Sequence, residues 1–195
     1  MPRLLASSED RRNLIAYLSS LGGVEPGAIK GADAAISPEA MNAVLHPKSG
    51  EWTTYNGNIG GNRHSPLNQI NTGNVQNLQL QWVFPLGAPD LETTPIVSDG
   101  AMYVTSADHV CALSAATGRQ LWCYNYTGPT ADGRQRNPGA MNRGVALLGD
   151  RVFFATTDAH LICLNRLTGA LMWDVLMPEA KFRYGSSSAP LVVGD

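Results

Sequence analysis

Two stretches of this chain carry the same pattern, and that repeat constrains the fold more than any other feature. Residues 99–125 read DGAMYVTSADHVCALSAATGRQLWCYN, and residues 149–175 read GDRVFFATTDAHLICLNRLTGALMWDV. Asp99 falls on Asp150, His109 on His160, Thr117-Gly118 on Thr168-Gly169, and Trp122 on Trp173, each pair 51 positions apart. Within a copy, short β-branched or aromatic runs are bounded by turn formers. Each copy therefore reads strand, turn, strand, turn, strand, Thr-Gly turn, Trp-bearing strand. Four antiparallel strands in series, recurring at a fixed period, are the blade of a β-propeller. The terminal Trp of each copy is placed to pack between neighbouring blades.

Two remnants flank the copies. LQLQWVF (78–84) carries Trp82 in the context of Trp122 and Trp173, as a lone outer strand whose own blade is missing. SAPLVVGD (188–195) matches GVALLGD (144–150), the opening strand of a copy. The expected fold is thus all-β: a partial β-propeller of about two complete four-stranded antiparallel blades, an orphan closing strand and the first strand of a third blade, with one short N-terminal α-helix. A ring needs at least about four blades. The chain is therefore expected to be a fragment of a longer product.

The helix is expected over residues 7–21, SSEDRRNLIAYLSSL. Leu14, Ile15, Leu18 and Leu21 recur at helical spacing, Ser7 or Ser8 serves as N-cap, and Glu9 and Asp10 sit in the first turn. Gly22-Gly23 ends it. Residues 23–50, rich in Gly, Ala and Pro, read as a linker with a short helix near 37–45. Residues 51–77 are crowded with Asn, Gly, Ser and Thr, which favour turns over helices.

Composition excludes some functions. Of 195 residues, 44% are hydrophobic, 15% are charged and 20 are glycine, and the formal net charge is −2. That profile fits a turn-rich globular chain. No basic stretch is dense enough for nucleic acid, which is set aside as a partner. No run approaches the roughly 20 apolar residues of a transmembrane segment, and the N-terminus lacks the apolar core of a signal peptide. The three cysteines, Cys111, Cys123 and Cys163, form neither CxxC nor CxxCH. Their odd count gives no disulfide framework, and they read as small buried apolar residues on strands. His109 and His160 read as a structural feature of the repeat in preference to a metal pair. Asp99, Asp108, Asp150 and Asp158 read as turn residues.

The stretch EWTTYNGNIGGNRHSPLNQINTGNVQNLQLQWVFPL resembles the opening of the pyrroloquinoline-quinone (PQQ) dependent alcohol and methanol dehydrogenases: W-x-x-Y-x-G, then R-x-S-P-L-x-Q-I-N, then N-V-x-x-L, then W. LETTPIVSDGAMYVTS, NRGVALLGD and YGSSSAPLVVGD follow in that family's order, so the resemblance spans roughly 50–195. It implies an eight-bladed quinoprotein propeller, of which residues 51–195 are the N-terminal part. Residues 1–22 resemble the last helix of a cytochrome c domain, where a Met-Pro pair precedes such a helix. Met1 then stands where the axial haem ligand of the parent would be, with the CxxCH upstream. The alternative is a plain helix packed on the propeller.

Glu92 precedes TTPIV and Arg143 precedes GVALL, again 51 positions apart. A charge at the start of an innermost strand is unusual for a plain core, and both are expected to point into a polar pocket on the axis. The resemblance implies that both contact PQQ, a flat tricarboxylate with an ortho-quinone. Arg143 would lay its planar fork on a quinone oxygen or carboxylate, and Glu92 would accept a hydrogen bond. A structural ion pair at the blade base is the competing reading. Ser187 matches a family Thr or Ser that hydrogen-bonds PQQ. The adjacent cysteine pair that many members place before NRG is absent, its positions being about Asn137-Pro138, and His64 stands where an aromatic is commoner. The Ca²⁺ ligands, the base and the Trp under the ring would lie on later blades, so no catalytic residue is expected within 1–195 and the isolated chain is expected to be inactive.

The parent is expected to be a periplasmic quinoprotein alcohol dehydrogenase that oxidises an alcohol to an aldehyde with PQQ and Ca²⁺. It would pass electrons to a fused or separate cytochrome c carrying haem c. Two alternatives stand beside it: a non-catalytic propeller scaffold of the outer-membrane assembly type, and a PQQ-dependent sugar dehydrogenase. A scaffold has no reason to keep the opening segment together with Glu92 and Arg143.

Overall fold

The computed structural model describes residues 37–87, 90–128, 140–177 and 185–193. Met1, the helix expected over 7–21 and Asn137-Pro138 lie outside the described residues. The helix expected near 37–45 forms as α1 (Pro38–Leu45). Ser37 caps it, its hydroxyl accepting from the Ala40 N–H at 3.2 Å, and Pro38 opens it where no N–H is needed. Val44 is its buried residue.

The repeat folds as two four-stranded antiparallel sheets. The first is β1 (Ile96–Ser98), β2 (Ala101–Ser106), β3 (His109–Ser114) and β4 (Gln120–Asn125). The second is β5 (Ala146–Leu148), β6 (Arg151–Ala155), β7 (His160–Asn165) and β8 (Leu171–Leu176). In each, the strands neighbour one another in chain order. Even the irregularity repeats: the register shifts between Ala112 and Leu113 in the first sheet and between Cys163 and Leu164 in the second. The runs 94–106 and 144–157 are each split into two strands by a tight reversal. Asp99 and Gly100 take positive φ in the first, and Gly149 does so in the second.

One face of the first sheet packs on the second. Ile96, Tyr103, Val110, Ala112 and Trp122 meet Val145, Leu147, Val152, Phe154, Ile162 and Leu164 in one buried cluster. The Trp does pack between blades, and the Thr-Gly turn is its socket. A Cβ on Gly169 would come within 2.6 Å of the Trp122 ring, and one on Gly118 within 2.4 Å of Trp82. Only glycine lets the ring lie flat on the turn backbone. Trp122 Nε1 donates to the Arg166 carbonyl at 3.0 Å, which locks the ring in place.

The other face of the first sheet carries Val104, Cys111 and Leu113, covered by Trp82, Phe84 and Leu86. Residues 78–86 thus sit where an outer blade would end, but they form no backbone ladder among the described residues. Period-two alternation survives without one: Trp82, Phe84 and Leu86 turn inward while Leu80 and Val83 are 81% and 74% exposed. A strand is defined by a partner, and none of the described residues pairs with this one. Residues 188–193 likewise make no strand.

The cysteine expectation is corrected in part. Cys111 and Cys123 are joined by a disulfide, and Cys163 stays free and buried. An odd count excludes a complete framework, not a single bond. The pairing is decided by register, which sets Cys111 directly opposite Cys123 on β3 and β4.

Candidate functional site

Glu92, Arg143 and Ser187 come from three separate segments, and the structure brings them together. Arg143 Nη2 lies 2.6 Å from Glu92 Oε2, and Arg143 Nη1 donates to Ser187 Oγ at 2.7 Å. Their backbones are stitched in the same order: the Thr94 N–H donates to the Arg143 carbonyl and the Arg143 N–H to the Ser187 carbonyl, each at 3.0 Å. The three positions therefore mark the starts of successive innermost segments, as the 51-residue spacing of Glu92 and Arg143 suggests.

Their supports are buried and polar. Asn142 is 1% exposed; its amide donates to the Ala155 carbonyl at 2.7 Å, and its side-chain oxygen accepts from the Gly144 N–H at 2.9 Å. This brackets Arg143 on both sides. Thr93 Oγ1 accepts from the Thr105 N–H at 3.1 Å and lies 3.0 Å from Thr105 Oγ1, tying the residue after Glu92 to β2. Gly144 has φ +131°, and a Cβ there would stand 3.0 Å from the Thr94 carbonyl. The glycine lets neighbouring segments close around the site.

Tyr55 and Arg63 extend the group. Arg63 stacks its guanidinium 4.9 Å from the Tyr55 ring centroid and donates through Nε to Asn56 at 2.8 Å. A hydrogen bond with Arg63, then one with Thr94, then the nearby charges of Arg63 and Arg143 hold the Tyr55 hydroxyl below its ordinary pKa. Both residues are present in the opening motif as markers of resemblance, but nothing in their spacing ties them to Glu92 and Arg143. They reach the site through a loop without periodicity.

The arrangement is suited to an anion. Arg143 holds one carboxylate and one hydroxyl, and Arg63 holds the Tyr55 hydroxyl within reach of the Arg143 charge. With side chains 38% and 39% exposed, the Arg143–Glu92 pair contributes at most about 1 kcal/mol to stability. Only two of the five guanidinium N–H donors of Arg143 are engaged by Glu92 and Ser187. The remaining donors, with Arg63 and the Tyr55 hydroxyl, fit a planar polycarboxylate with carbonyl oxygens. No helix among the described residues is long and apolar enough to cross a membrane.

The profile of "PQQ: Glucose/ethanol/alcohol dehydrogenase, beta-propeller domain" matches residues 52–174. Among curated proteins, the chain is 38% identical to the quinoprotein alcohol dehydrogenase PedH of Pseudomonas putida over 167 residues, 83% of this chain and 27% of that one. It is 41% identical to the dehydrogenase subunit of the quinone alcohol dehydrogenase of Komagataeibacter europaeus over 148 residues, 72% of this chain and 19% of that one. Among solved structures, a europium-containing methanol dehydrogenase superposes with TM-score 0.70 at 32% identity, over 82% of this chain and 28% of that one. The quinohemoprotein alcohol dehydrogenase of Comamonas testosteroni gives 0.61 at 31% identity, over 72% and 21%. The chain spans between 19% and 28% of the length of these relatives.

Proposed function

The chain belongs to the PQQ-dependent glucose/ethanol/alcohol dehydrogenase β-propeller family, and on that premise we propose that Glu92, Arg143 and Ser187 form one wall of a PQQ site in an alcohol dehydrogenase. The observation that carries this is the convergence of the three side chains on Arg143, at 2.6 and 2.7 Å, from segments far apart in sequence.

When bound, PQQ supplies the two-electron acceptor for oxidation of an alcohol to an aldehyde. The chain's own residues bind and orient. Arg143 directs its unspent N–H donors at an oxygen of the cofactor. Glu92 fixes the guanidinium plane and accepts a hydrogen bond from the cofactor's polar edge. Ser187 holds Nη1 and offers its hydroxyl to the same edge. Arg63 and Tyr55 add positive charge and a donor. In this reading the base, the Ca²⁺ ligands and the platform under the ring belong to other segments of the parent, and residues 1–195 alone turn over no alcohol.

The same reading includes electron transfer to a cytochrome c carrying haem c, fused or separate, with Met1 as axial ligand if fused, and a periplasmic location for the parent. The scaffold alternative is disfavoured, because the matched profile is that of the dehydrogenases. A sugar substrate is less favoured than an alcohol because the curated relatives described above are named for alcohols.

The test is PQQ affinity of the full-length protein containing this chain, measured by calorimetry. Arg143→Ala removes charge-assisted hydrogen bonds worth about 1.5–3 kcal/mol, so affinity falls about 10- to 100-fold. Unchanged affinity would falsify the assignment.

A further inference from the structure

We propose that His109, Cys111 and Cys123 form a redox-gated zinc site on the outer half of the first blade. With the Cys111–Cys123 bond intact the site is closed. Once a dithiol reductant opens that bond, two thiolates and one imidazole bind one Zn²⁺.

The placement follows from strand geometry. His109 and Cys111 stand two apart on β3, so they share a face. Register sets Cys123 of β4 opposite Cys111 on that same face. The three donor atoms lie within 4.8 Å of one another, and His109 Nε2 is 3.4 Å from Cys111 Sγ. Zinc bonds of about 2.3 Å to sulfur and about 2.0 Å to nitrogen put tetrahedral ligand atoms roughly 3.5 Å apart. The donors are therefore close to the required spacing already, and rotation of the two cysteine side chains separates the sulfurs enough. The His109 ring also hydrogen-bonds the Leu86 backbone, the kind of support that orients metal-binding imidazoles. Trp82, Phe84 and Leu86 roof the cluster and limit water.

The second blade shows what the repeat alone requires. There the matching positions are His160, Ile162 and Asp174, and His160 Nδ1 lies 2.5 Å from Asp174 Oδ1. The histidine is the repeated feature; its side-chain partner differs, Asp174 on β8 in the second blade and Cys111 on β3 in the first. The first blade departs from the second at both remaining positions, and both departures are sulfur. The disulfide accounts for the two sulfurs while it is closed; once it is open, they and the imidazole are the donor set that a soft cation takes.

The chemistry balances without any further oxidant. A dithiol gives two electrons and two protons to the disulfide, yielding two thiols and its own disulfide. Zinc then displaces the two thiol protons to solvent with no change in its oxidation state. Three protein ligands leave one position open.

The 195-residue chain is reduced with a dithiol, freed of reductant without oxygen, and titrated with Zn²⁺ against a chromophoric chelator. The reduced chain should bind one equivalent and melt at a higher temperature with zinc, while the oxidised chain does neither. With Co²⁺ as the probe, the sulfur-to-metal charge-transfer band should appear only in the reduced chain. Cys163→Ser should bind like the parent, and His109→Ala should bind at least about tenfold more weakly. The proposal is overturned if the reduced chain takes up no more zinc than the Cys111→Ser/Cys123→Ser variant. It is also overturned if His109→Ala binds as tightly as the parent, if Cys163→Ser abolishes binding, or if the reduced chain loses its β-sheet dichroism and zinc does not restore it.

Discussion

Arg143 is held at both its ends: its side chain reaches Glu92 and Ser187, and its backbone joins Thr94 to Ser187. That is why the small residue beside it matters. Gly144→Ala would place a methyl 3.0 Å from the Thr94 carbonyl at φ +131°, a region side chains avoid. The expected cost is about 1–3 kcal/mol in urea unfolding, with PQQ affinity of the full-length protein reduced although no contact atom is deleted. Asp99 allows a prediction in pH. Its carboxylate accepts from Lys48 and from Arg166, and the hydrogen bond from Lys48 is the main cause that lowers its pKa below 3.8. The folded chain then binds this proton less readily than the unfolded one. Its contribution is present above 3.8 and is lost as pH falls through the lower folded value. Because Asp99 is partly exposed, the effect is under about 1 kcal/mol. Asp99→Asn should flatten that acid limb of the urea midpoint. Glu92 and Arg143 were legible because each precedes the opening strand of a copy, in step with the repeat. Tyr55, Arg63 and Thr93 were not, because they act through an aperiodic loop or through a threonine that resembles any other. The Cys111–Cys123 bond was hidden for a related reason: composition counts cysteines, whereas register decides which two face each other.

The blade was the most readable element, because its four strands, its Thr-Gly turn and its Trp recur together. What the repeat did not disclose is why the turn is Thr-Gly. The answer lies in the preceding Trp, whose ring fills the space over the glycine. Two substitutions separate the backbone effect from the packing effect. Gly100 and Gly169 share nearly the same φ, +75° and +73°, but a Cβ on Gly100 meets nothing within 4 Å while one on Gly169 meets Trp122 at 2.6 Å. Gly100→Ala should cost about 1–2 kcal/mol for the left-handed conformation alone. Gly169→Ala should cost about 1–3 kcal/mol more, the added amount being the displaced indole. Thermal melts of the two variants measure the difference, and equal costs would show that the indole moves freely. The run 78–86 marks where element-level reading stops. Its sequence has a strand's alternation, and its inward residues pack as a strand's would, yet a ladder needs hydrogen bonds from a second segment.

At the scale of the molecule, two blades leave two open ends. At one, Leu80 and Val83 are 81% and 74% exposed on a segment that forms no backbone ladder among the described residues. At the other, Val175, Leu191 and Val193 are exposed. In a closed ring each blade covers the next, so these are the surfaces that closure would bury. Uncovered apolar side chains beside unpaired strand-like backbone favour association between chains. The 195-residue chain should therefore self-associate with rising concentration, as measured by size-exclusion chromatography with light scattering. Leu80→Lys together with Val83→Lys should shift it toward monomer, because the charges oppose edge pairing while Trp82, Phe84 and Leu86 keep their packing on the first sheet. The same pair of changes in the full-length protein should lower its melting temperature, since there the lysines would be forced into a blade contact. If the double variant associates as strongly as the parent chain, the open end at 78–86 is not the surface that drives association. Opposite effects of one substitution pair in the two contexts would mark this edge as a blade surface built to be covered.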